Sequence, residues 1–275
     1  MGFDQMSGAH AQQSGGSVFL RGLATQAAVI KAMSLRELQQ RFGRDNIGYL
    51  WVVAEPMMLA SVITLLHAAV SKSGSGESSP FTFMLTGYSI YIIFRNSFNR
   101  AESSLHQSDN LFYHGMITPF DIVACKSLVE TIGCVSALVV LQTVGIMLGV
   151  SELPFRPLYL MGAVSLFAWM AFAMSMIVAA YGYLYPLVGR LAHPFAYFAL
   201  PVSGAFVSMS ILPMWTHHFL SWNPMVSIFE MARYGQFKNA STKYFFIAYV
   251  VKINVVLTYW GLLEIRRIRT RIHVS

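Results

Sequence analysis

Two stretches of this sequence run without a charged residue for long enough to cross a bilayer. No other feature restricts the fold as much. Residues 131–150 (TIGCVSALVVLQTVGIMLGV) and 158–185 (LYLMGAVSLFAWMAFAMSMIVAAYGYLY) are of that kind, since a helix needs about 20 apolar residues to cross roughly 30 Å of hydrocarbon. Residues 195–212 (FAYFALPVSGAFVSMSIL) are also free of charge. Three weaker runs extend the pattern to six spans: 47–70, broken by Glu55; 81–99, with Arg95 near one border; and 244–263, with Lys252 near its middle. Only 11% of the residues are charged, against about 25% in soluble domains. The expected fold is an all-α membrane protein with six transmembrane helices. An N-terminal interfacial amphipathic helix and short outer re-entrant or gate helices before the last span complete it.

The chain divides accordingly. Residues 1–24 read as a disordered tail, and the first sixteen have neither the basic n-region nor the apolar run of a signal peptide. Residues 25–46 read as a cytoplasmic interfacial helix in contact with membrane lipid, because Leu35, Leu38 and Phe42 share one face. Residues 47–265 hold the six spans, and 266–275 form a basic cytoplasmic tail. The connection 213–243 is long and aromatic, which favours short helices within it. Six crossings put both termini on one side. Placing that side in the cytoplasm puts most of the 19 Lys and Arg residues there, including the RRIRTR run at 266–271. The net charge of +7 is dispersed between apolar runs, so it marks topology and not a nucleic-acid surface.

Catalytic signatures are missing. The sequence has no G-x-x-x-x-G-K-[ST] phosphate loop, no G-x-S-x-G elbow and no His/Cys spacing suited to a metal. Cys125 and Cys134 lie nine residues apart on one expected helix, pointing to different faces, so no disulfide is implied. The one loose group of titratable residues is Glu102, His106, Asp109 and His114, which leaves open a membrane enzyme acting on lipid-linked sugars. A non-catalytic membrane scaffold is a third reading. A chain that is mostly spans reads best as a conduit, and a conduit without an energy source needs a partner that supplies one.

The run RFGRDNIGYLWVVAEPMMLA (41–60), with Phe42-Gly43, Gly48-Tyr49-Leu50-Trp51 and Glu55-Pro56, resembles the opening of type-2 ATP-binding-cassette exporter permeases. The run NPMVSIFEMARYGQF (223–237) resembles the Asn-Pro, Glu and Arg stretch those permeases carry before the last span. Within that family the likeness is greatest to capsular polysaccharide export permeases, with O-antigen and teichoic-acid permeases as alternatives. The resemblance implies an export subunit in the bacterial inner membrane that is not itself an enzyme. It implies a homodimer joined to two cytosolic ATPase subunits, which would bind ATP and Mg, with no cofactor in this chain. It also implies a lipid-linked anionic glycan as substrate and a periplasmic export adaptor.

Candidate site residues follow from spacing and from the resemblance. Tyr88, Tyr91, Arg95, Asn99 and Glu102 recur every three or four residues. They either leave the membrane at its cytoplasmic border or line a glycan pathway, where rings stack on sugars and Arg95 attracts anions. The resemblance has the fifth span line a channel with the first, which adds Tyr49, Trp51, Tyr197 and Phe198. Lys252 either snorkels, pairs with a carboxylate or joins the pathway. For coupling to the ATPase the candidates are Arg36, Arg41, Arg44, Glu55, Leu105, Leu111 and Phe112, with Glu55 expected to pair with a basic residue of the interfacial helix. Trp215, Trp222, Glu230 and Arg233 are candidates for an outer gate, the last two as an i,i+3 pair.

Overall fold

The computed structural model describes residues 15–42, 80–112 and 117–272, together with 54–55, 57–58, 60–62 and 65–66. Most of the expected first span lies outside the described residues, with Arg44, Tyr49 and Trp51, and so do the side chains of Arg41 and Leu111. Among the described residues every regular element is a helix. In chain order these are α1 (Gly15–Phe42), α2 (Pro80–Glu102), α3 (Asp109–Phe112), α4 (Pro119–Met147), α5 (Pro157–Leu184), α6 (Pro186–Val202), α7 (Met214–Leu220), α8 (Pro224–Gln236) and α9 (Ile247–Ile272).

Three of them are long and apolar enough to cross a membrane: α4, α5 and residues 247–270 of α9. α2 has the length, at 23 residues, but Arg95, Asn96, Asn99 and Arg100 dilute its hydropathy. It is nevertheless the central helix. Ile90, Tyr91, Ile92, Ile93 and Phe94 are consecutive and fully buried, which a helix achieves only when neighbours surround it. Those neighbours are α4, α5, α6 and α8. Phe94, Phe167 and Phe229 meet edge to face in the middle of this core, and a second core of Leu105, Ile122, Met176 and Ile268 fills the end where α2 stops. Outward from the bundle, α4 exposes Ile132, Val139 and Val144 and α9 exposes Val255, Val256 and Leu262, as surfaces bathed in lipid do.

Prolines and caps set the boundaries. Thr118 and Asp121 form a reciprocal capping box with Pro119 at the first position of α4. α5 and α6 are separated by a single extended residue, Tyr185 (φ −132°, ψ 100°), because a proline at 186 disfavours helical backbone in the residue before it. α1 starts upstream of the boundary expected at residue 25, is largely exposed, and lies along α4, where Gln26 Nε2 donates to Asp121 Oδ1 at 3.3 Å.

The fifth expected span differs from the sequence reading. The charge-free run 195–212 is not one helix: α6 begins at Pro186 and ends at Val202, and only a 3-10 turn (Met209–Ile211) follows. The chain reverses at Gly204, whose φ is +80°, a left-handed conformation that side chains with a Cβ disfavour. Charge content measures affinity for lipid and carries no information about direction. A Cβ at Gly204 would also lie 3.3 Å from Val226 Cγ2. Gly204→Ala is expected to cost about 1–2 kcal/mol, read as a lower thermal unfolding midpoint of the detergent-solubilised protein.

Candidate functional site

Arg95 lies seven residues before the end of α2, about 10 Å along the axis at 1.5 Å per residue. A guanidinium at that depth needs polar or aromatic company. Its Nη1 donates to Tyr88 Oη at 3.3 Å and its Cζ stands 5.7 Å from the centroid of the Tyr197 ring. Tyr88 is buried and stacks on Phe206 at 6.0 Å. Tyr91 is fully buried and its hydroxyl donates to the Ala196 carbonyl. Tyr88 therefore braces Arg95 and Tyr91 holds α6 against α2, and both rings are buried. Asn99 is half-buried, and its Oδ1 has no hydrogen-bond partner among the described residues.

α6 shows why the rings sort in this way. Gly189, Ala192 and Ala196 are its buried residues, and small side chains let helix backbones approach closely where lipid offers no hydrophobic drive. Its large residues point away: Tyr197 is 59% and Phe198 75% exposed, with Leu191 and Phe195 beside them. Tyr197, Pro201, Gly204 and Ser208, which would share one face if 195–212 were a single helix, are thus not the packing stripe, and the last two lie beyond the helix. What remains at the surface is an arginine flanked by exposed aromatics, chemistry that suits an anionic, ring-bearing ligand.

The Asn-Pro motif and the expected gate pair form a buried staple. Asn223 caps α8, its Oδ1 accepting from Met225 N at 2.9 Å, while its Nδ2 donates to Val202 O at 2.9 Å. Glu230 Oε1 accepts from Met209 N (2.8 Å), Ser208 Oγ (3.1 Å) and Arg233 Nη1 (2.7 Å). Arg233 Nη2 donates to the Gly204 and Ala205 carbonyls, and its guanidinium lies 4.4 Å over the Phe83 ring. α8 is buried along almost its whole length, so Glu230 and Arg233 fix the reversal after α6 from inside the protein. Trp215 and Trp222, in contrast, are 72% and 74% exposed. The sequence reading did not single out Phe206.

At the opposite end the coupling candidates also sort by burial. Leu105 and Phe112 are buried in the second core, because apolar residues on so short a segment fold back onto the bundle. They are not outward knobs, and the segment exposes His106, Gln107 and Asn110 instead. Glu55 pairs with Arg100 at 3.3 Å, and Arg100 also bonds Glu130 at 2.8 Å. Among the described residues its partner is therefore Arg100 of α2. Arg36 lines a cavity of about 290 Å³ with Glu37, Arg100, Gln107 and Lys126. Of the loose titratable group, Glu102 lies 3.7 Å from His193 and His106 stacks on Tyr183, while His114 lies outside the described residues.

Lys252 stands apart from Arg95. It is exposed on α9, whose neighbours are α5, α8 and α4. Because α9 starts at Ile247, Lys252 is only about 7.5 Å from that end and its stem can carry the ammonium to the interface.

Residues 28–237 match the family described as ABC-2 type transporter. The chain is 29% identical over 250 residues to the capsule polysaccharide export inner-membrane protein BexB of Haemophilus influenzae, covering 91% of this chain and 94% of that one. It is 30% identical over 249 residues to the corresponding protein CtrC of Neisseria meningitidis serogroup A, covering 90% and 94%. It is 22% identical over 241 residues to the polysialic acid transport protein KpsM of Escherichia coli, covering 88% and 93%.

Proposed function

The chain belongs to the ABC-2 type transporter family, and from that premise we propose that it is the permease that exports a lipid-linked capsular polysaccharide across the bacterial inner membrane. The observation that carries this reading furthest is Arg95, a guanidinium held inside a span by Tyr88 and facing the exposed rings of α6. Intramembrane cations that face a bundle surface serve a pathway or a partner, and an acidic glycan supplies the matching charge. The names of the relatives, capsule export proteins and a polysialic acid transporter, support both the direction and the substrate class.

In this reading six spans cross the membrane, with both termini in the cytoplasm. Two copies enclose the pathway between their α2–α6 faces. Two cytosolic ATP-binding-cassette subunits bind ATP and Mg and engage α1 and the segment 103–112, and a periplasmic adaptor receives the chain. Arg95, Tyr197 and Phe198 contact the glycan, and Trp215 and Trp222 sit at the outer mouth. The test is reconstitution. The chain is expected to co-purify with an ATPase subunit whose hydrolysis in liposomes is stimulated by acidic lipid-linked glycan. Transport by this chain alone, without ATP, overturns the proposal. Lys252→Met is expected to leave export near the wild-type rate, because a snorkelling lysine serves the interface and not the pathway. Flux of labelled glycan into inverted vesicles measures it.

A further inference from the structure

Where α2 ends, Glu102 is seated in a notch made by two glycines, one on each side of the α5–α6 break. A Cβ at Gly182 would lie 3.0 Å from the Glu102 carbonyl oxygen, and one at Gly189 would lie 3.0 Å from Glu102 Cγ and 3.1 Å from Cδ. Any larger residue at these positions would displace the glutamate. Its Oε2 is 3.7 Å from Nε2 of His193, one turn further along α6. Four residues after Glu102, His106 stacks on Tyr183 of α5 with ring centroids 4.5 Å apart. The chain leaving α2 thus grips both sides of the break, whose joint is the single extended residue Tyr185. α6 in turn carries Tyr197 over Arg95.

We propose that Glu102 is a positioning residue that transmits movement of the 103–112 segment to α6, shifting the rings of Tyr197 and Phe198 when the ATPase subunits bind nucleotide. This rests on the reading of the chain as a permease driven through that segment. The transmission is mainly steric. The His193 contact is long and half exposed, and such pairs contribute little. Van der Waals contact against a glycine backbone, by comparison, is stiff and leaves no slack.

The test uses the complex with its ATPase subunit and a fluorescent unnatural residue in place of Phe198, read in the nucleotide-free and ATP–vanadate states. A nucleotide-dependent emission change is expected in this parent protein. It is expected to vanish in Glu102→Ala while ATP hydrolysis continues. Glu102→Cys combined with Gly189→Cys supplies the rescue, because the close approach of these positions permits a disulfide, whose Cβ atoms sit roughly 3.5–4.5 Å apart. The reduced pair is expected to be silent and the oxidised pair to regain the response, so one polypeptide serves as its own folding control. A parent protein without a response, a response that survives in Glu102→Ala, or identical behaviour of reduced and oxidised pairs overturns the proposal. If α6 responds through Glu102 but the unlabelled chain, with Phe198 in place, moves no glycan in complex with its ATPase subunit, the functional reading alone is overturned.

Discussion

Arg95→Gln is expected to slow export of an acidic glycan by roughly ten- to a hundredfold while ATPase association persists. A hydrogen bond to a charged group contributes about 1.5–3 kcal/mol, and each 1.4 kcal/mol is about tenfold. Arg95→Lys keeps the charge but loses the planar fork that pairs with carboxylates and stacks on Tyr197, so an intermediate rate is expected. Arg95→Glu adds repulsion, about 4 kcal/mol for charges 4 Å apart near a protein surface, and is expected to abolish export. Among the described residues the guanidinium makes one hydrogen bond, to Tyr88 at 3.3 Å, so these changes leave the fold largely intact. The measurement is glycan-stimulated ATP hydrolysis in liposomes, with expression and co-purification as controls. Equal rates across the three variants would remove Arg95 from the pathway.

The order glutamine, lysine, glutamate separates charge from geometry, and it bears on how much of this site the sequence could disclose. Arg95 stood out in the sequence because a cation inside an apolar run is costly, and the structure sets it 5.7 Å from the Tyr197 ring. The long helices α4, α5 and α9 were legible for the same reason, since bilayer thickness sets a length that no tertiary contact needs to supply. What the sequence left hidden was which face of a helix meets protein. In water polarity decides that question, but along the apolar part of α6 residue size decides it. Two stripes competed on α6, and the glycine–alanine stripe at 189, 192 and 196 packs inward while Tyr197 faces out. Tyr88 and Tyr91, expected as pathway rings, are buried, and the sequence hid this for a related reason. A run buried on every side, such as 90–94, has no periodicity to betray its orientation. Leu105 and Phe112 were read as knobs for a partner, yet the end of the bundle needed a lid and they supply it.

Arg233→Met is expected to remove most of the folded protein. Breaking a buried ion pair by deleting one member costs about 3–5 kcal/mol, because the remaining charge is left uncompensated. Here the loss would strand the Glu230 carboxylate inside α8 and release the Gly204 and Ala205 carbonyls that hold the reversal after α6. Glu230→Gln is expected to be milder. Its amide oxygen can still accept from Met209 N and Ser208 Oγ, although Arg233 then keeps an unbalanced charge. Replacing both residues, Glu230→Leu with Arg233→Met, is expected to recover much of the stability, since buried ion pairs exchanged for apolar groups of similar volume are often neutral. Detergent extracts resolved by size, with unfolding midpoints, measure all three. The comparison also decides between an anchor and a gate. An anchor loses stability in the single variant and regains it in the double. A gate would leave the single variant folded and open, and the double as leaky as the single. The four acceptor and donor groups converging on this pair from 204–209 tie α8 to a fixed turn, and a pair so tied moves only if the turn moves with it.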